Sequence, residues 1–60
     1  MYLRVLRARE LLATTDRIQY DISKECGFTD TSYFHRTFKK LTGCIPGQYR
    51  DMHYHEDVIN

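Results

Sequence analysis

The chain has 60 residues, of which 42% are apolar and 28% charged, enough for one small domain and too apolar for a disordered tail. No run of about 18 apolar residues is present and no basic start leads into an apolar stretch, so neither a membrane span nor a secretory signal is expected. Formal net charge is only +1, but residues 1–50 hold all nine Lys and Arg against five acids, while 51–60 hold three acids and neither Lys nor Arg. A basic body with an acidic end fits a nucleic-acid binder better than the total does. The two cysteines, Cys26 and Cys44, are too few for a disulfide framework and are expected to be reduced, Cys26 as a small core residue.

The chain reads as all-α. Tyr2 to Thr14 is rich in helix formers, with Val5, Ala8 and Leu12 on one face and Leu11 beside them. Tyr2, Leu6 and Ala13 make a second stripe, interrupted by Arg9, and a helix apolar on two sides usually has two neighbours. No N-cap residue precedes this helix, so further structure is expected on its N-terminal side. Thr14, Thr15 and Asp16 break the pattern. Asp16 is the expected N-cap of a helix from about Arg17 to Cys26, with Ile18, Ile22 and Cys26 recurring every four residues as its buried face.

Gly27 ends that helix, since glycine reaches the left-handed conformation of a helix stop, and Phe28 is expected to plug the core behind it. Asp30 is the expected N-cap of a third helix, Thr31 to Thr42, burying Phe34, Phe38 and Leu41. Gly43 stops it, and Pro46 opens a last short helix on which Tyr49 points inward with Arg50 beside it. Beyond Asp51 periodicity fades. The expected division is therefore a domain over 1–51 and an acidic tail over 52–60.

Two short helices joined through Gly27 fit the helix-turn-helix plan, in which the second helix enters the major groove of DNA. Small helical domains with a glycine turn also occur without DNA, so the plan alone leaves function open. The residues narrow it. Gly27-Phe28, Asp30, Ser32-Tyr33-Phe34, Arg36, Phe38-Lys39-Lys40, Gly43, Pro46 and Tyr49-Arg50 stand at the spacing of the AraC/XylS-family signature. Arg7-Ala8-Arg9-Glu10-Leu11-Leu12 resembles the helix that links the two halves of that family's DNA-binding domain. The resemblance covers about residues 3–50 and implies a homeodomain-like helix-turn-helix, the second of two, in a bacterial transcription regulator. Its implied partners are double-stranded DNA, a first helix-turn-helix half, an effector domain and RNA polymerase. Since such a domain has two motifs, the chain is expected to be a fragment of a larger, cytoplasmic protein.

Three positions depart from the family's habit. Gln19 stands where an apolar residue is usual, with Ile18 as the expected substitute. Ser23 replaces an alanine, and Gly47 replaces a serine.

With Phe34, Phe38 and Leu41 facing in, Ser32, His35, Arg36 and Lys39 share the opposite face, and Thr31 sits at the helix N-terminus. Thr31, Ser32, His35 and Arg36 are the candidates for reading bases, and they coincide with positions that contact DNA in the family. Arg36 leads them, because its fork matches guanine O6 and N7. A phosphate clamp or a salt bridge is the alternative for Arg36. Lys39, Lys40 and Arg50 are candidates for phosphate contact, with plain solvated charge as the alternative. Tyr33 either packs or touches the DNA backbone.

His53 and His55 form an H-x-H near Glu56 and Asp57, short of the fixed ligands a metal needs. No nucleophile–base pair, phosphate-binding glycine loop or carboxylate pair stands out, so no metal, cofactor or catalysis is expected. The competing function is a protein-interaction module whose main contact is RNA polymerase or a partner domain.

Overall fold

The computed structural model describes residues 2–54. They form four helices, α1 (Tyr2–Thr14), α2 (Gln19–Glu25), α3 (Thr31–Thr42) and α4 (Pro46–His53), with no strand among them. The helix α1 packs against all three others, and α3 packs against both α2 and α4.

The core forms where the apolar faces meet. Val5, Ala8 and Leu12 of α1 are buried with Ile22, Cys26, Phe28, Phe34 and Phe38, and Leu11 and Tyr49 pack against this cluster. Aromatic rings dominate it. Phe28 lies 5.1 Å from Phe34, Phe34 lies 5.8 Å from Phe38, and Phe38 lies 5.7 Å from Tyr49, measured between ring centroids. Each contact is tilted or edge-on, the arrangement that ring quadrupoles favour. The second stripe of α1 is only partly covered among the described residues: Leu6 and Ala13 are half-buried, and Tyr2 is exposed.

The turn between α2 and α3 follows from Gly27. Its φ is 93°. That conformation lets the Gly27 amide donate to Lys24 O over 3.0 Å and the Phe28 amide donate to Ser23 O over 2.9 Å. These are the paired bonds of a Schellman stop, and they drop Phe28 onto the core. Asp30 then caps α3, its side chain accepting from the Ser32 amide, and Gly43 closes α3 in the left-handed region at φ 89°.

Several expectations need correction. Asp16 is not the N-cap of α2. That helix starts at Gln19, and Ile18 occupies the cap position in extended backbone without a side-chain cap bond. Ile18 therefore lies outside the helical phase of Ile22 and is exposed. The buried partner of Ile22 is Ser23, whose hydroxyl donates to Tyr20 O over 2.9 Å. Leu41 is also exposed, because its turn of α3 overhangs an open groove lined by Tyr2, Tyr33, Arg36, Thr37, Lys40 and Leu41. The helix α4 runs to His53. The rest of the expected acidic tail, from residue 55 on, lies outside the described residues.

Candidate nucleic-acid interface

The candidate interface is the outer face of α3. Asp30 fixes its first turn by a 3.1 Å bond from the Ser32 amide to Oδ1. Phe34 and Phe38, fully buried, set its rotation against α1 and α2. Ser32, Arg36, Lys39 and Lys40 then stand in solvent, while Thr31 and His35 are half-buried at the edge of that face. Tyr33 packs edge-on against Phe28, with ring centroids 5.9 Å apart.

Charge within the fold is distributed unevenly. Arg4 of α1 donates to Gly27 O at 3.0 Å and braces the turn. Arg7 and Arg17 both pair with Glu25 at the end of α2. These two guanidiniums, Arg17 foremost, hold the Glu25 carboxyl below its ordinary range. Arg9 donates to the Tyr49 hydroxyl over 3.3 Å. Arg36, Lys39 and Lys40 have no acidic partner among the described residues, and all three lie on α3. Five of the nine Lys and Arg, namely Arg4, Arg7, Arg9, Arg17 and Arg50, thus brace the fold, Lys24 lies over the Tyr20 ring of α2, and the other three are gathered on the face in question. A cluster of unpaired cations on one helix is the electrostatic footprint that phosphates attract.

Two candidates sit differently from the expectation. Arg50 donates from Nε to Leu12 O over 3.1 Å and from a terminal nitrogen to Thr15 O over 2.8 Å. Its fork is engaged with the C-terminal end of α1, where free carbonyls and the helix dipole favour a cation. His35 is not simply outward-facing. Its Nε2 lies 2.8 Å from Gln19 Oε1 at the start of α2. In the sequence Gln19 was only an irregularity in the packing pattern, and its role as the partner of His35 is invisible without the fold. The signal was there as a polar residue at a position expected to be apolar.

Among the described residues no group of His, Cys, Asp and Glu could hold a metal ion, and no helix is long and apolar enough to cross a membrane. His55, Glu56 and Asp57 lie outside the described residues. Cys26 and Cys44 are both free thiols, and burial pushes the Cys26 thiol up.

Comparison with known proteins places this geometry. A family model described as a helix-turn-helix domain matches residues 1–52. The HTH-type transcriptional activator RhaR of Klebsiella pneumoniae is 44% identical over 48 residues, covering 80% of this chain and 17% of that protein. RhaR of Escherichia coli is 41% identical over 54 residues, covering 90% of this chain and 19% of that protein. The chain belongs to the AraC family. Two solved structures share its fold. The xylose-binding transcription activator XylR superposes with a TM-score of 0.83 at 35% identity, covering 87% of this chain and 14% of that one. The C-terminal domain of the two-component response regulator YesN from Fusobacterium nucleatum gives 0.79 at 41% identity, covering 82% of this chain and 48% of that one. The chain thus spans less than a fifth of the curated AraC-family relatives it matches. It is a helix-turn-helix domain of the kind that serves DNA binding in transcription regulation.

Proposed function

We propose that this AraC-family chain binds double-stranded DNA sequence-specifically, with α3 in the major groove, as the second half of a two-motif bacterial transcription regulator that works in the cytoplasm and catalyses no reaction. The observation that carries this reading is the outer face of α3. It presents exposed Ser32, Arg36, Lys39 and Lys40, with Thr31 and His35 at its edge, behind a turn locked by Gly27. Thr31, Ser32, His35 and Arg36 meet base edges, and Lys39 and Lys40 meet phosphates. Arg50 is better assigned to holding α1, since its donors already face Leu12 and Thr15 carbonyls. A first helix-turn-helix half would read the adjacent stretch of groove, and an effector domain and RNA polymerase complete the set of partners proposed for the parent regulator.

Titration of a selected duplex and a scrambled one at several salt concentrations tests this. With about three to four phosphate contacts the log–log salt slope is expected near −3. Absence of DNA binding by the full regulator even at low salt would transfer the assignment to a protein-interaction module.

A further inference from the structure

We infer that Gln19 is a positioning residue that decides which base His35 reads; the inference rests on the proposed placement of α3 in the major groove. Gln19 and His35 lie sixteen residues apart on different helices, and Gln19 Oε1 stands 2.8 Å from His35 Nε2. An amide oxygen only accepts, so Nε2 is the nitrogen that donates. With the ring neutral, the nitrogen left for a base is Nδ1, and it can only accept. In the major groove guanine offers two acceptors, N7 and O6, whereas adenine offers the N6 amine and cytosine the N4 amine. A His35 held in this tautomer therefore matches an amine-bearing base and is mismatched to guanine. A ring released from Gln19 could swing Nε2–H outward and donate to guanine.

The amide also lies close to the backbone of α4. A Cβ built on Gly47 would stand 3.3 Å from Gln19 Nε2. The bare backbone of Gly47 at the start of α4 thus makes room for the nitrogen end of the amide, with the oxygen end turned to His35. Gln19 is half-buried, with His35 of α3 and Gly47 of α4 beside its amide.

The experiment is a selection of duplexes from a randomised library by the full-length regulator that carries this chain. Wild type is compared with Gln19→Met, His35→Ala and the double variant. Methionine keeps the length and shape of glutamine and removes the acceptor. The position that loses its preference in His35→Ala is the one His35 faces. At that position wild type is expected to favour adenine or cytosine, and Gln19→Met to lower that preference about fivefold, toward guanine, as loss of one hydrogen bond would. Preferences elsewhere should stay as they were, which also reports that α3 is still folded and docked. In the His35→Ala background Gln19→Met should change nothing.

An unchanged profile for Gln19→Met overturns the inference. So does a change that persists without His35, or one spread across every position, since those outcomes describe a packing residue. A wild-type protein that selects no sequence at all overturns the groove reading itself, and this inference with it. A wild type that selects a site in which His35→Ala alters no position overturns the inference alone.

Discussion

The guanidinium of Arg50 caps the end of α1 by donating from Nε to the carbonyl oxygen of Leu12 over 3.1 Å. The last turn of α1 has no basic residue of its own, and α4 supplies one from the far end of the chain. A second bond, to Thr15 O at 2.8 Å, extends the clamp into the following loop. Arg50→Ala leaves these carbonyls without that donor and is expected to cost about 1–3 kcal/mol, as for hydrogen bonds to charged groups. Urea unfolding of both proteins measures it. DNA binding separates the two roles open to this residue. As a clamp, Arg50→Ala leaves the salt slope unchanged once the protein is folded, and as a phosphate contact it would flatten the slope by about one unit.

Gly27 and Gly43 share a left-handed backbone but not surroundings. Among the described residues a Cβ on Gly43 meets nothing within 4 Å, so Gly43→Ala carries only the backbone penalty, about 1 kcal/mol. A Cβ on Gly27 would also stand 3.2 Å from the Arg4 guanidinium carbon. Gly27→Ala must strain the backbone and displace the Arg4 brace on Gly27 O, so it is expected to be the more harmful. Thermal unfolding of the two variants ranks them. Equal melting temperatures would mean that Arg4 moves aside without loss.

The pair of arginines on Glu25 predicts a pH dependence. Because Arg17 and Arg7 lower its folded-state value, the carboxylate contributes stability above its ordinary value of 4.5, and that contribution disappears as pH falls through the lowered folded value. The melting temperature of Glu25→Gln should therefore lie below that of wild type at neutral pH and converge with it in acid. Glu25 is exposed, so salt should shrink the gap as well. A difference that persists unchanged into acid would remove the ion pairs as its cause.

On α3, Arg36 and Lys39 should behave differently. Arg36→Ala is expected to cost about 1–3 kcal/mol on the preferred site and to relax preference at one base position. Lys39→Ala should weaken every sequence alike and flatten the salt slope by about one unit. Equal losses on preferred and scrambled duplexes for Arg36→Ala would make it a phosphate clamp, leaving sequence reading to Thr31, Ser32 and His35.

Local chemistry was enough for much of the fold. The left-handed stops at Gly27 and Gly43, the Asp30 cap, the Pro46 start and the bounds of α1 and α3 depend on residues within a few positions of one another. So does the burial of Phe34 and Phe38 on one side of α3, which follows from helical phase, and which leaves Ser32 and Arg36 outside. What the sequence could not determine lies between elements. Ile18 kept the right period but sits in extended backbone before α2, where helical phase has no meaning. Leu41 kept its phase too, but none of the described residues covers that turn of α3. Arg50 stands in the sequence as a cation beside Tyr49, yet whether it meets a phosphate or Leu12 depends on how α4 lies across α1, thirty-eight residues away in the chain. The same holds for Gln19 and His35, two polar residues that became one hydrogen-bonded pair only when α2 and α3 closed on the core. Periodicity and capping are short-range properties of the backbone, whereas the partner of a long polar side chain is set by tertiary packing.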